Sequence, residues 1–243
     1  MINVIREEGT DYLFAGFLEK ALKKRYCEHD ITLSIEPRRG EFYFCQDYWI
    51  TKQDFPVKFM FYALPSHQKE IERIMGKDCA LVTYAADPTF HKNRSTKKNF
   101  DVGFIGKGYY ETRREVLSFL KANYNTCIHE DLPGSLVPDH LSQCKVLVNH
   151  TRPEIDVNLR FFESMALGCQ LMLRTPSLSR FAEEGVHYLG YSSIEEMKNL
   201  IDLLLADHNL RERIAYNARL HFLENHTYAH RAQAIINHMK EYA

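Results

Sequence analysis

The segment Asn158-Leu-Arg-Phe-Phe-Glu-Ser-Met-Ala-Leu-Gly168 places one carboxylate, Glu163, inside an apolar run at helical spacing. Phe161, Phe162, Met165, Ala166 and Leu167 accompany it, and Gly168 closes the run. An acid in that company reads as held on a buried helix, with its oxygens aimed at a defined partner. The vicinal hydroxyls of a ribose suit a fixed carboxylate, because each O–H donates to one oxygen. Two other readings stay open. An acid near a helix N-terminus is favoured by the macrodipole, and Arg160 offers a rigid fork of donors with which Glu163 could simply pair.

Working outward from this helix, Lys145-Val-Leu-Val-Asn149 is an apolar run between polar residues, the pattern of a central parallel strand, and Gln170-Leu-Met-Leu-Arg174 reads as the next one. Earlier, Phe100-Asp-Val-Gly-Phe-Ile105 reads as a strand, followed by a helix that Thr112 could cap, a strand around Asn125 to His129, and a short helix from Pro138 to Gln143. Ser193 and Glu196 form a capping-box signal for a helix reaching about Ala206. A last helical stretch, from about Arg211 to Tyr242, is interrupted near Asn225-His-Thr-Tyr228. The basic polar run Lys92 to Asn99 reads as a seam. Before it lie strand candidates at Ile2–Ile5, Ile31–Ile35, Phe42–Cys45, Val57–Ala63 and Cys79–Tyr84. Helices are expected after Thr10 or Asp11, either of which could act as N-cap, and over Ser66 to Met75. Strand and helix in alternation predict an α/β fold of two Rossmann-like layers, a domain over 1–95 and another over 96–243. The final helix could pack back on the first domain. Ligands in such folds bind beyond the carboxyl ends of the strands.

Composition narrows the class. With 243 residues the chain can bury a substantial core. Lys plus Arg number 31 against 32 for Asp plus Glu, which argues against a broad nucleic-acid surface. The six cysteines stand singly, without a C-x-x-C pair, as reduced thiols would in a cytoplasmic protein; neither a disulfide frame nor a zinc site is expected. Acids at Glu7 and Glu8 do not suit a signal peptide, and no segment has the apolar length of a membrane span. His226 and His230 are four apart, but no H-E-x-x-H or acidic third ligand accompanies them, so no metal is expected there.

Gly106-Lys107-Gly108 follows a strand and precedes a helix, where backbone N–H groups can hold phosphate. An ordinary turn explains the same residues. Arg113 and Arg114 lie one turn into that helix, where positive charge opposes the macrodipole unless an anion is near.

Taken in order, several motifs resemble one family. They are Tyr84-Ala-Ala-Asp-Pro88, Asp101-Val-Gly-Phe-Ile-Gly106, the arginine-led helix, Val148-Asn149, Asn158-x-Arg-x-Phe-Glu-x-x-Ala-x-Gly168, Phe181-x-x-x-Gly185 and His226-Thr-Tyr-x-x-Arg231. Together they resemble the group 1 glycosyltransferases of the spore-maturation, CgeB-like branch, which have the two-domain GT-B fold. The resemblance covers roughly residues 80–235.

The resemblance implies a hexosyltransferase-like, metal-independent enzyme whose C-terminal domain holds a nucleoside-diphosphate sugar, with a UDP-sugar as the leading expectation and no cofactor. It implies that Glu163 reaches the nucleotide ribose, and that Asn158 belongs to the donor site. Lys107 and Arg160 would neutralise the leaving diphosphate, with Arg113 or Arg114 as substitutes. Related retaining enzymes carry a first glutamate eight residues earlier, where this chain has Ile155 between Glu154 and Asp156. About ninety residues form the acceptor half, fewer than the family usually spends. Its cleft would then be simplified, or completed by a homo-oligomer or partner subunit. By chain order, His67 and Asp11 are the best candidates for a general base. Two rival functions are a nucleotide-sugar-binding scaffold of the same fold and a sugar transferase acting on modified nucleic-acid bases. Arg38-Arg39 and Lys97-Lys98 leave a local basic patch for the latter.

Overall fold

Strands rich in β-branched and aromatic residues alternate with helices along the chain. The structure, a computed structural model, describes residues 2–5, 13–25, 31–34, 40–45, 57–95, 97–152 and 155–242. They divide into two units, Met1–Ala85 with His226–Ala243, and Ala86–Asn225. The division falls between Ala85 and Ala86, so residues 86–95 lie with the second unit and the last helix with the first.

The first unit contains β1 (Ile2–Ile5), α1 (Leu13–Arg25), β2 (Ile31–Ser34), β3 (Gly40–Cys45), β4 (Val57–Tyr62), a 3₁₀ turn at Pro65–His67, α2 (Gln68–Met75) and β5 (Cys79–Leu81). The strands form one sheet in the order β2-β1-β3-β4-β5, with every pairing parallel. Buried Phe59, Met60, Phe61 and Tyr62 make β4 a core strand, as its continuous apolar run requires. The helix expected from Ser66 opens as the 3₁₀ turn, with Pro65 in its first position, where the missing N–H costs nothing. The proposed cap residues Thr10 and Asp11 lie outside the described residues.

The second unit contains β6 (Phe100–Ile105), α3 (Glu111–Asn123), β7 (Thr126–His129), α4 (Val137–Leu141), β8 (Cys144–Asn149), α5 (Leu159–Leu167), β9 (Cys169–Leu173), β10 (Leu189–Tyr191), α6 (Ile194–Ala206) and α7 (His208–Asn225). Its sheet runs β10-β9-β8-β6-β7, again all parallel. The pleat sends Val146 and Val148 into one core cluster with Leu120, Tyr191 and Ile201, and Leu147 into the opposite one with Leu141 and Leu167. Ser193 Oγ accepts from the Glu196 N–H at 3.1 Å, so the expected cap forms and starts α6. Two local expectations change. Tyr110, not Thr112, precedes α3, and it contributes no side-chain cap. β10 is a strand that Leu189-Gly-Tyr191 is too short to announce by alternation.

The chain leaves the interruption at His226 and Thr227 and re-enters the first unit as α8 (Tyr228–Tyr242). Tyr228 stacks on Phe17 of α1 with ring centroids 5.4 Å apart. Arg231 is buried here. Its Nε donates to the carbonyls of Thr83 and Tyr84 at 3.0 Å, and Nη2 reaches Tyr84 O at 2.9 Å and His226 Nδ1 at 2.9 Å. The His-Thr-Tyr-x-x-Arg motif is therefore a clamp from α8 onto the chain after β5. His226 and His230 are engaged separately: the His230 Nδ1 lies 2.8 Å from Thr227 Oγ1.

Candidate functional site

β6 and β8 are neighbours, yet the chain leaves β6 toward β7 on one side and β8 toward β9 on the other. Their carboxyl ends therefore form the crevice where open parallel sheets take ligands. Gly106 turns away from β6 at φ +155°, a conformation that L side chains rarely adopt, and its N–H donates to the His129 carbonyl at 3.0 Å. α3 then begins at Glu111, with its first N–H groups facing this edge and no side-chain cap at Tyr110.

Arg113 crosses the crevice. Nη2 and Nε donate to the His150 carbonyl at 2.6 and 3.0 Å, and Nη1 donates to the Lys107 carbonyl at 2.6 Å. The guanidinium lies over the Phe104 and Tyr110 rings, 5.6 and 5.4 Å from their centroids. Burial lowers its pKa. His150 is buried beside it, with Nδ1 3.1 Å from the Tyr191 hydroxyl. Burial first, and the Arg113 charge second, push the His150 pKa down to about 4. The side chain at His150 is thus neutral at ordinary pH.

α5 starts at the same edge. Asn158 is its N-cap, accepting from the Phe161 N–H at 3.0 Å. The Asn158 amide also exchanges two hydrogen bonds of 2.9 Å with Asn149 at the end of β8. That pair registers the helix against the strand. One turn in, Glu163 is 3% exposed and each oxygen has a partner. Arg160 Nη1 pairs with Oε2, and His91 Nε2 lies 3.1 Å from Oε1. Burial alone would raise the Glu163 pKa, but Arg160 and His91 outweigh it and hold the carboxyl below its ordinary range.

His91 arrives through a turn. The Asp87 carboxylate accepts from the Thr89 and Phe90 N–H groups at 2.8 and 2.9 Å. The Asp87 N–H donates to His91 Nδ1 at 3.0 Å. This pattern assigns the proton to Nε2, which then donates to Glu163. Arg219 of α7 donates to the Ala166 carbonyl at 2.6 Å and steadies the far end of α5.

The remaining expected residues are placed as follows. Lys107 is exposed and pairs with Asp131. Arg114 points to solvent on α3. Ile155 is buried, Glu154 lies outside the described residues, and Asp156 accepts from Ser177 Oγ. His67, half-buried, ends the 3₁₀ turn of the first unit, and Asp11 lies outside the described residues. In the proposed basic patch, Lys98 Nζ donates to the Ser142 carbonyl at 2.8 Å, and Arg94, on the adjoining stretch, pairs with Asp139. Sequence reasoning missed His91 and Thr151. The Asp-Pro-Thr turn before His91 was the available signal. Thr151, 2% exposed just past β8, carries a hydroxyl without a protein partner, and so does the Nε of Arg160.

Among the described residues, two parallel five-stranded sheets share one strand order, as the two domains of the GT-B glycosyltransferase fold do. Solved structures confirm the likeness. A glycosyltransferase from Rickettsia africae ESF-5 superposes with a TM-score of 0.71 at 8% identity, over 99% of this chain and 97% of that one. Anabaena Alr3699/HepE, solved with UDP and glucose, gives 0.68 at 11% identity over 98% and 99%. The DNA-modifying β-glucosyltransferase, studied with uridine diphosphoglucose, gives 0.64 at 12% identity over 96% of each chain. No curated protein sequence matches the chain. The chain belongs to the glycosyl transferase-like family, whose model matches residues 88–237. Among the described residues, no helix is long and apolar enough to cross a membrane.

Proposed function

We propose that the protein transfers a hexose from a nucleoside-diphosphate sugar, a UDP-sugar first among them, without a metal ion at the diphosphate. The observation that carries this reading is Glu163: a buried, ionised carboxylate at the carboxyl edge of a parallel sheet, one turn into a helix. Its oxygens are held in place by His91 and Arg160 and retain lone pairs for two ribose hydroxyls. The diphosphate would lie between Gly106–Gly108 and the start of α5. Arg160 would turn its unpartnered Nε to it, and Thr151 its unpartnered hydroxyl. Arg113, by contrast, would act by shaping the crevice, since its donors are already engaged. Lys107 would exchange Asp131 for phosphate, at little cost for an exposed pair.

Membership of the CgeB-like branch and a shortened acceptor half remain part of this reading, as do His67 or Asp11 as general base. The neighbours that hold UDP or UDP-glucose have nearly the same extent as this chain, which supports donor binding by a chain of this size.

Calorimetric titration with UDP- and GDP-sugars tests the proposal, paired with turnover of labelled sugar nucleotides. Glu163→Ala is expected to abolish or strongly weaken donor binding; unchanged affinity would remove the assigned role. Tight binding without turnover would favour a scaffold, the reading that buried Ile155 at the first glutamate position supports.

A further inference from the structure

The edge of the second sheet away from the β6–β8 crevice gathers side chains that the transfer reaction does not use. Cys127 and His129 are two apart on β7, so they share a face of the sheet. α4 brings His140 over that face, anchored by buried Val137 and Leu141. The thiol sulfur and one ring nitrogen from each histidine all lie within 4.8 Å of one another. Cys127 Sγ is 3.8 Å from His140 Nδ1, and the two imidazole rings meet edge-on with centroids 4.3 Å apart.

We propose that Cys127, His129 and His140 form a zinc site that fixes the end of β7 to α4. Zinc bonds of about 2.3 Å to sulfur and about 2.0–2.1 Å to nitrogen give a tetrahedral S···N edge of about 3.5 Å. The observed S···N separation is already close to that length. One thiolate with two imidazoles suits zinc by ligand softness, whereas calcium and magnesium take oxygen ligands. Cys144 lies outside this group; its thiol donates to the His140 carbonyl at 3.5 Å and so secures α4 beside the site.

Room for this arrangement comes from Gly103 on β6, the strand between β7 and β8. A Cβ there would stand 2.6 Å from Cys144 Sγ. A disulfide between Cys127 and Cys144 does not account for the cluster, since both thiols are free. Strands β7 and β8 flank β6, so their backbones are about 9–10 Å apart, beyond the roughly 7 Å that a disulfide spans. The ligand order is Cys-x-His with His140 eleven residues further on, and it contains no C-x-x-C. The cluster therefore becomes visible only when α4 folds over β7. The His129 carbonyl accepts from the Gly106 N–H, so an ion here would also steady the loop at the crevice.

The test uses the full chain, stripped with a chelator under reducing conditions and titrated with cobalt(II), then with zinc(II). One cobalt per chain is expected, with tetrahedral d–d bands and a thiolate charge-transfer band that zinc abolishes. Cys127→Ser should remove the charge-transfer band, and His140→Gln should weaken zinc binding by about tenfold or more. His230→Gln, remote in sequence and bonded to Thr227, should leave both unchanged. Folded wild-type protein that shows no thiolate band would overturn the proposal. So would a band that persists in Cys127→Ser.

Discussion

Two nitrogens of Arg113 hold the His150 carbonyl, at 2.6 and 3.0 Å, while the third holds Lys107. One buried side chain thus ties the ends of β6 and β8 at the point where the chain diverges. Removing it leaves two carbonyls without their charged donor. Arg113→Ala is expected to lower unfolding free energy by about 2–4 kcal/mol, read by urea denaturation. Arg113→Lys should recover only part of this, because an ammonium cannot reproduce the planar fork.

His150 gives the structure an acid-sensitive element. Its folded pKa of about 4 lies below the ordinary 6.5, so the unfolded chain takes up the proton first. Stability is fully present above about pH 6.5 and is lost as the pH falls toward 4, by about 1–3 kcal/mol. Glu163 also favours folding at higher pH, but its lowered pKa restricts its loss to pH below 4.5. Denaturation midpoints between pH 6.5 and 4.5 should therefore decline in the wild type and decline less in His150→Gln, where His187, its pKa also lowered by burial, keeps part of the slope.

His91 is expected to act on the donor through Glu163. His91→Ala leaves one oxygen of a buried carboxylate without its donor, which costs about 1–3 kcal/mol of stability. Donor affinity should fall by about tenfold, since the carboxylate is no longer held in one orientation. The combined His91→Ala, Glu163→Ala variant should bind donor no more weakly than Glu163→Ala alone. Calorimetry of the four proteins checks that non-additivity.

In the first unit, Arg231 is a buried charged residue that ties α8 to the chain after β5. Burial lowers its pKa to about 10, so it remains charged at neutral pH while serving two carbonyls and a histidine. Arg231→Ala is expected to cost about 2–4 kcal/mol, because two buried carbonyls and an imidazole nitrogen lose their donor. A protease-susceptibility assay of the folded chain should show earlier cleavage.

Much of the fold was legible from residue order. Phe100 to Ile105 forms a strand with those bounds, and the Asn158 to Gly168 segment forms a capped helix with Glu163 inside. Apolar periodicity and capping act over a few residues, so they survive in the bare sequence. β10 escaped because three residues, one of them glycine, carry no readable alternation.

The local chain by itself determined that Glu163 would be a buried acid on an amphipathic helix, and that Gly106 would end a strand beside another helix. Tertiary structure decided what those residues meet. His91 lies 72 positions before Glu163, and Arg113 lies 37 before His150. Neither separation leaves a periodic trace. Parallel strands are joined by crossovers rather than tight turns, so partners at one sheet edge come from distant stretches of chain. Their hydrogen bonds are set by register and helix docking, which exist only once the second sheet has formed.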